Sequence, residues 1–263
     1  TPTSDFAENF WPVMALVNEN KISTNADGKL DNFRFEYHTA FHFDSLLFGQ
    51  YLKDRYCIPR GVKHVVGTVK DAPTDENGIS KVILEDGTEL QADLYVDCTG
   101  FESLLLGKAL EEPFTSYRDI LPNNKAWAVQ VPYTDKETEL QPYTNCTALT
   151  NGWVWNIPLW SRIGTGYVYS DEFISDEDAL QEFKKHLNSD KMASPNSNRV
   201  TDDLNFRHIN FKTGIYERTW VKNVLGIGLA AAFIEPLESN GLLSVHEFIL
   251  EFCRHADRPV VNQ

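Results

Sequence analysis

Residues 153 to 158 read Trp153-Val154-Trp155-Asn156-Ile157-Pro158, and this stretch restricts the fold more than any other. Strand side chains alternate, so two tryptophans two positions apart lie on one face of an extended segment. Pro158 removes a backbone donor and closes ordinary strand pairing. The stretch is therefore read as a stiff aromatic strand that stops at a fixed turn. Its aromatic face either fills a core, as most large aromatics do, or forms the wall of a pocket or tunnel.

The neighbouring sequence extends this reading. Trp127 to Val131, Tyr143 to Leu149, Trp153 to Ile157 and Ile163 to Tyr169 are short strand-like runs at hairpin spacing, which predicts an antiparallel sheet. Ser175-Asp176-Glu177-Asp178 resembles a capping box, with Asp at the usual Glu position. The helix behind it places Leu180, Phe183 and Leu187 on one face. Asp171, Glu172, Asp176, Glu177, Asp178 and Glu182 crowd one segment and are read as a solvated helix face, not a metal site.

Upstream, residues 33 to 44 alternate with period two, which predicts a strand. On a strand, His38 and His42 do not form the one-turn pair that a metal site on a helix uses. Asp44 suits the N-cap of a helix running through Leu46, Leu47, Phe48 and Leu52. Val62 to Val69 is strand-like, and Asp71 to Gly78 is a polar loop. Lys81 to Leu90 is a hairpin whose Asp86-Gly87 suggests a primed turn. Leu94-Tyr95-Val96 forms a short strand that runs into Asp97-Cys98-Thr99-Gly100. That Thr-Gly turn is either an ordinary strand end or a place where backbone approaches a ligand.

Downstream, Arg207 to Tyr216 is extended and Asn223 to Ile227 is a short apolar strand. Gly226 to Ala232 has little side-chain bulk. A helix is expected after Gly241, with Leu242, Val245, Ile249, Phe252 and Cys253 at helical spacing. Glu235-Pro236-Leu237-Glu238-Ser239-Asn240-Gly241 offers two carboxylates, a rigid turn and a small-residue entry into that helix. Its first backbone amides lack acceptors within the helix and suit a small anion. Taken by itself, Glu238 is equally an exposed loop carboxylate or a charge near a helix start.

The 263 residues, 42% hydrophobic and 24% charged, suit a globular protein of one large or two small domains. A net charge of −14 argues against nucleic acid or an anionic membrane as the main partner. No apolar run is long enough to span a bilayer, and no signal peptide is visible. The four cysteines are scattered without a C-x-x-C pair, which favours free thiols in a reducing cytoplasm. The absence of Gly-x-Ser-x-Gly leaves a serine hydrolase without support.

Four elements occur in order along the chain: Ala40-Phe41-His42-Phe43-Asp44, Asp97-Cys98-Thr99-Gly100-Phe101, W-x-W-x-I-P at 153 to 158, and the run from Gly228 to Ser239 that ends in Glu-Pro-Leu-Glu-Ser. Together they resemble the flavin-dependent halogenases of the tryptophan-halogenase family. The resemblance implies a mixed α/β fold of the FAD/NAD(P)-binding, flavin-monooxygenase type, with an antiparallel substrate-side sheet. Residues 1–105 would be part of the FAD-binding domain, 106–204 the substrate-side sheet, and 205–263 the return to the FAD and halide site. Family members open with a Gly-x-Gly-x-x-Gly loop for the FAD pyrophosphate and continue into a C-terminal helical region. Neither is found in this chain, so a fragment of a longer protein is expected.

The resemblance also implies roles. Thr99, Gly100, Gly228, Leu229 and Ala230 would approach FAD. Asn240 and Gly241 would hold halide through their amides, and Glu238 would be catalytic. Trp153, Trp155, Ile157 and Pro158 would line the tunnel between flavin and substrate. Reduced FAD from a separate flavin reductase, oxygen and halide would generate hypohalous acid, which halogenates a small electron-rich aromatic. A lysine of the family's mechanism matches no position here. The implied protein is cytoplasmic, binds no metal, nucleic acid or membrane, and is compatible with a homodimer. Two other functions remain open: a flavin-dependent aromatic monooxygenase, and a non-catalytic flavin-fold binding module.

Overall fold

The computed structural model describes residues 12–21, 29–30, 33–34, 40–189 and 203–255. The chain divides into two compact units, each built from several segments. One comprises residues 1–62, 126–169 and 173–209. The other comprises 63–125, 170–172 and 210–263.

The first unit is organised by a five-stranded sheet in the order Asn145–Ala148, Gly152–Pro158, Ile163–Tyr169, Lys125–Val131, Arg207–Asn210; Lys125 and Asn210, at strand ends, belong to the second unit. The first three strands pair antiparallel, as their hairpin spacing requires. The Asp176–Leu187 helix covers one face. Its Ala179, Phe183 and Leu187 meet Val129, Val131, Val154, Ile163, Tyr167 and Tyr169 in a closed core. Ser175 caps this helix by accepting the Asp178 amide at 3.1 Å, and its hydroxyl also donates to the Asp178 carboxylate.

The acidic run is not simply a solvated helix face. The Tyr169 hydroxyl donates to Asp176 at 2.9 Å, and the Tyr167 hydroxyl to Glu182 at 2.8 Å. Burial and the Glu182 carboxylate together push the Tyr167 hydroxyl well above its ordinary value. The two tyrosines reach the helix from the sheet, so these acids are structural acceptors for core phenols. Earlier in the run, Arg118 pairs with Asp171 at 2.7 Å within the second unit.

Asp44 caps the Ser45–Tyr51 helix by accepting the Leu46 and Leu47 amides. Among the described residues of the strand expected over 33 to 44, Phe33–Arg34 pair with Lys29–Leu30 and residues 40–44 are irregular, and residues 35–39 lie outside the described residues. His38 lies outside the described residues.

In the second unit, Tyr95–Asp97 and Val224–Gly226 run parallel, with Trp220–Val221 antiparallel at the edge. A second core of Ile79, Val82, Leu84, Tyr95, Leu105, Leu106, Tyr216, Val221 and Val224 surrounds them. Residues 62–68 carry no strand, and Val66 is 83% exposed. Pairing begins at Val69. The expected polar loop folds as a small hairpin, Thr74–Asp75 with Gly78–Ile79. The next hairpin, Val82–Leu84 with Glu89–Leu90, lacks a primed turn. Gly87 has φ 86° but Asp86 is not left-handed, and Leu84 and Thr88 close a three-residue loop instead. Among the described residues, no helix is long and apolar enough to cross a membrane, and no cluster of three metal-ligating side chains occurs.

Candidate functional site

Parallel pairing aligns the carboxyl ends of Tyr95–Asp97 and Val224–Gly226 on one sheet edge. In open α/β sheets, ligands bind beyond such ends. The first strand delivers Asp97-Cys98-Thr99-Gly100 there, and the second delivers Gly226-Ile227-Gly228-Leu229. Each feeds a 3-10 turn, Gly100–Glu102 and Gly228–Ala230, and the two turns pack together. Gly100 and Gly228 have φ of 69° and 62°, the left-handed region that glycine enters without strain. A Cβ on Gly100 would meet nothing within 4 Å, so that backbone is open to a ligand.

Asp97 is the fixed point of this edge. It is fully buried and accepts the Thr99 amide, the Thr99 hydroxyl at 2.6 Å, and the Leu105 and Leu106 amides at 2.8 and 2.9 Å. The Thr99 hydroxyl in turn accepts the Leu104 amide. Thr99 therefore shapes the turn with its side chain, leaving backbone as its route to a ligand. Ala230 is fully buried, and its carbonyl accepts the Ser103 hydroxyl at 2.8 Å. A Cβ on Gly226 would come within 2.7 Å of Leu106 Cδ2, so that glycine serves the core.

The Glu235–Gly241 segment completes the site. Pro236–Glu238 is a 3-10 turn ended by Ser239 in the left-handed region, after which Gly241–His255 runs as a helix. A pocket of about 350 Å³ brings Gly228 and Leu229 together with Glu235, Pro236, Asn240 and Gly241. Its remaining wall is mainly apolar, from Ala232, Phe233, Ile234, Leu242 and Val245. Ala230 is not on that wall. Nothing is described of the Glu238 side chain beyond the backbone that carries it.

Such a pocket offers apolar walls for a flat ring, glycine-exposed backbone, and a helix start for a small anion. The polar features that short motifs could not reveal are Asn123, whose amide donates to Glu235 at 3.4 Å, and the Asp97 hub. Phe101, Phe211 and Phe233 form an aromatic cluster beside the pocket wall, with centroids 5.1 to 6.1 Å apart.

The tryptophan strand lies in the first unit. Trp153, Trp155 and Ile157 are half-buried on one face, while Val154, Asn156 and Pro158 are buried on the other. The two indoles meet edge to face, 6.2 Å between centroids. The strand ends at Pro158. A cavity of about 480 Å³ is lined by Trp155, Gly164, Gln130, Asn205 and Arg207, so the Trp155 indole forms part of an open wall, and Trp153 does not line it.

The sequence profile described as Tryptophan halogenase matches residues 2–260. The 7-chloro-L-tryptophan 6-halogenase KtzR of Kutzneria sp. (strain 744) is 38% identical over 237 residues, covering 90% of this chain and 43% of that protein. The crystal structure of the tryptophan 6-halogenase SttH from Streptomyces toxytricini superposes with a TM-score of 0.85 at 35% identity, covering 99% of this chain and 50% of that one. BrvH, a flavin-dependent halogenase from Brevundimonas sp. BAL3, gives a TM-score of 0.76 at 30% identity over 91% of this chain and 46% of that one. The chain thus spans half or less of the length of these relatives.

Proposed function

The chain belongs to the tryptophan halogenase family, and from that premise we propose that a protein of its relatives' length carrying these residues is an FAD-dependent halogenase of small electron-rich aromatics, indole-like or phenol-like. The observation that carries this reading is the single pocket shared by Gly228 and Leu229 with Asn240 and Gly241, which fits a flavin ring beside an anion. When bound, reduced FAD supplies, with oxygen, the oxidising power that turns halide into hypohalous acid.

This chain's residues would divide the remaining work. The turns at Thr99-Gly100 and Gly228-Leu229 present backbone to the cofactor, while Ala230, buried and bonded to Ser103, holds the second turn from behind. The Asn240 and Gly241 amides, at the start of a helix, hold the halide. Trp153, Trp155 and Ile157 wall off the substrate side, so that only a small oxidant passes, and Pro158, on the opposite face, ends the strand. Glu238 stabilises the charge that develops on the aromatic ring, or takes its proton.

The functional division is read along the chain as flavin side to about residue 105, substrate side to about 204, then the return to flavin and halide, with residues 40–62 packing in the tryptophan-sheet unit and 106–125 in the unit of the glycine turns. A separate reductase supplies the reduced flavin, the setting is cytoplasmic, and a homodimer is compatible with the reading. Glu238→Gln in the full-length protein tests it. Halogenated product is expected to fall at least about a hundredfold, with flavin still bound. Equal rates for variant and parent would remove Glu238 from the chemistry. Hydroxylated product independent of bromide would favour an aromatic monooxygenase.

A further inference from the structure

We propose that His42 is a positioning residue: it latches the end of the tryptophan strand through the Pro158 carbonyl. This rests on the reading of that strand as a partition. The imidazole is half-buried and spans two strands. Its Nδ1 lies 2.9 Å from the Pro158 carbonyl oxygen, and its Nε2 lies 3.0 Å from the Thr144 hydroxyl. These partners are 116 and 102 positions away in sequence.

Both partners stand at one end of one strand pair. Thr144 precedes Asn145–Ala148, and Pro158 ends Gly152–Pro158, whose Asn156 is opposite Asn145. The ladder of that pair stops there, and His42 bridges the gap.

The neighbouring turn is held from the same segment. Leu159 and Arg162 close it with a 2.8 Å backbone bond, and the Arg162 guanidinium binds the Asp44 carboxylate. His42 and Asp44 therefore grip the two ends of the Pro158–Arg162 turn. Residues 40–44 are irregular and pair in no strand, which leaves their side chains available for this contact.

The chemistry fixes the form of the histidine. A carbonyl oxygen only accepts, so Nδ1 carries the hydrogen. Nε2 then accepts from the Thr144 hydroxyl, which can also turn and accept if the ring becomes charged. The essential bond is Nδ1–H to Pro158, and it survives either protonation state.

Pro158 and the indoles lie on opposite faces of the strand, so a freed strand end would turn Ile157 and then Trp155 out of line. The latch thus acts on the wall from behind, without touching whatever the wall faces.

The test compares two variants in the full-length protein. His42→Phe keeps a ring but removes both bonds. His42→Asn keeps a donor at the δ position and can still reach the Pro158 carbonyl. Halogenated product per reduced flavin is expected to fall about tenfold in His42→Phe and to stay within about threefold of the parent in His42→Asn. Lost product should reappear as peroxide and as hypohalous acid trapped by a small scavenger. Amide hydrogen exchange across residues 153–162 should quicken in His42→Phe and not in His42→Asn.

Unchanged coupling and exchange in His42→Phe would overturn the proposal. Equal loss in both variants, matched by equal loss of thermal stability, would overturn it too, by reducing His42 to a fold residue. If the parent protein makes no halogenated product at all, the halogenase reading fails. The exchange comparison then still decides the latch.

Discussion

Trp155 and Gly166 are cross-strand partners, and the indole occupies the space that a side chain on Gly166 would need. A Cβ there would stand 2.1 Å from Trp155 Cη2 and 2.7 Å from the Trp127 carbonyl oxygen. The first neighbour can swing away, but the second is backbone. Gly166→Ala should therefore displace the indole and destabilise the first unit by about 1–3 kcal/mol. Urea denaturation and tryptophan emission check this together. A variant as stable as the parent, with unchanged emission, would contradict the packing.

Asp97→Asn should damage the edge that carries the two glycine turns far more than its size suggests. One carboxylate oxygen accepts both the Leu105 and Leu106 amides, and an amide nitrogen in its place accepts neither. Two buried donors lose their partner, for an expected loss of about 2–4 kcal/mol. Flavin retention after gel filtration should fall in parallel. Full stability in the variant would show that the hub is dispensable.

Gly241 has open space around the position of a Cβ and lies at an ordinary φ. Gly241→Ala should fold with a melting temperature close to the parent's, because nothing is crowded. A methyl group on the pocket rim should nonetheless raise the bromide concentration needed for half-maximal halogenation by about tenfold. Bromide soaked into crystals of the flavin-bound protein should give an anomalous peak at the Asn240 and Gly241 amides. A peak elsewhere, with unaltered bromide dependence, would refute the anion assignment.

Glu112 and Arg218 make a pH-dependent contribution to the second unit. The Glu112 side chain is 1% exposed and takes the Arg218 guanidinium through two bonds, at 2.9 and 2.6 Å. The Arg218 guanidinium holds the Glu112 carboxyl below its ordinary value, against the opposing effect of burial. A depressed folded-state value means that the stabilisation is present above the usual glutamate range and is lost as pH falls through the folded-state value. Arg218→Met should lower stability most near neutral pH. The gap to the parent should close only as pH falls below the ordinary glutamate range and through the lowered folded-state value. A gap independent of pH would assign the effect to packing.

Sequence made the local devices legible. Asp44 and Ser175 cap their helices because each cap needs only its next three residues. The tryptophan strand follows from parity alone. What remained hidden depends on distant partners. Asp86-Gly87 looks like a primed turn, yet the closure between Leu84 and Thr88 decides the turn type. Asp176 and Glu182 look like surface acids, and only the sheet shows that tyrosine hydroxyls point at them. Val65 and Val66 alternate with nothing, because an apolar pair forms a strand only where a partner edge exists. At the site, Gly100 and Gly228 were visible as small residues, but their meeting on one edge is a fact of parallel pairing. Glu238 and the halide amides rest on family resemblance, since nothing in a lone Glu-Ser-Asn-Gly separates a catalytic turn from a plain one.

That parallel pairing also sets a schedule. Val224 must find Tyr95 before the two glycine turns can lie side by side, and the Asn240 and Gly241 amides come later still. On the ribosome, the first strand waits through the synthesis of the whole tryptophan sheet before its neighbour emerges. The pocket therefore does not exist in any nascent chain that stops short of its last helix. Anything that this pocket holds can be held only after translation has passed this point.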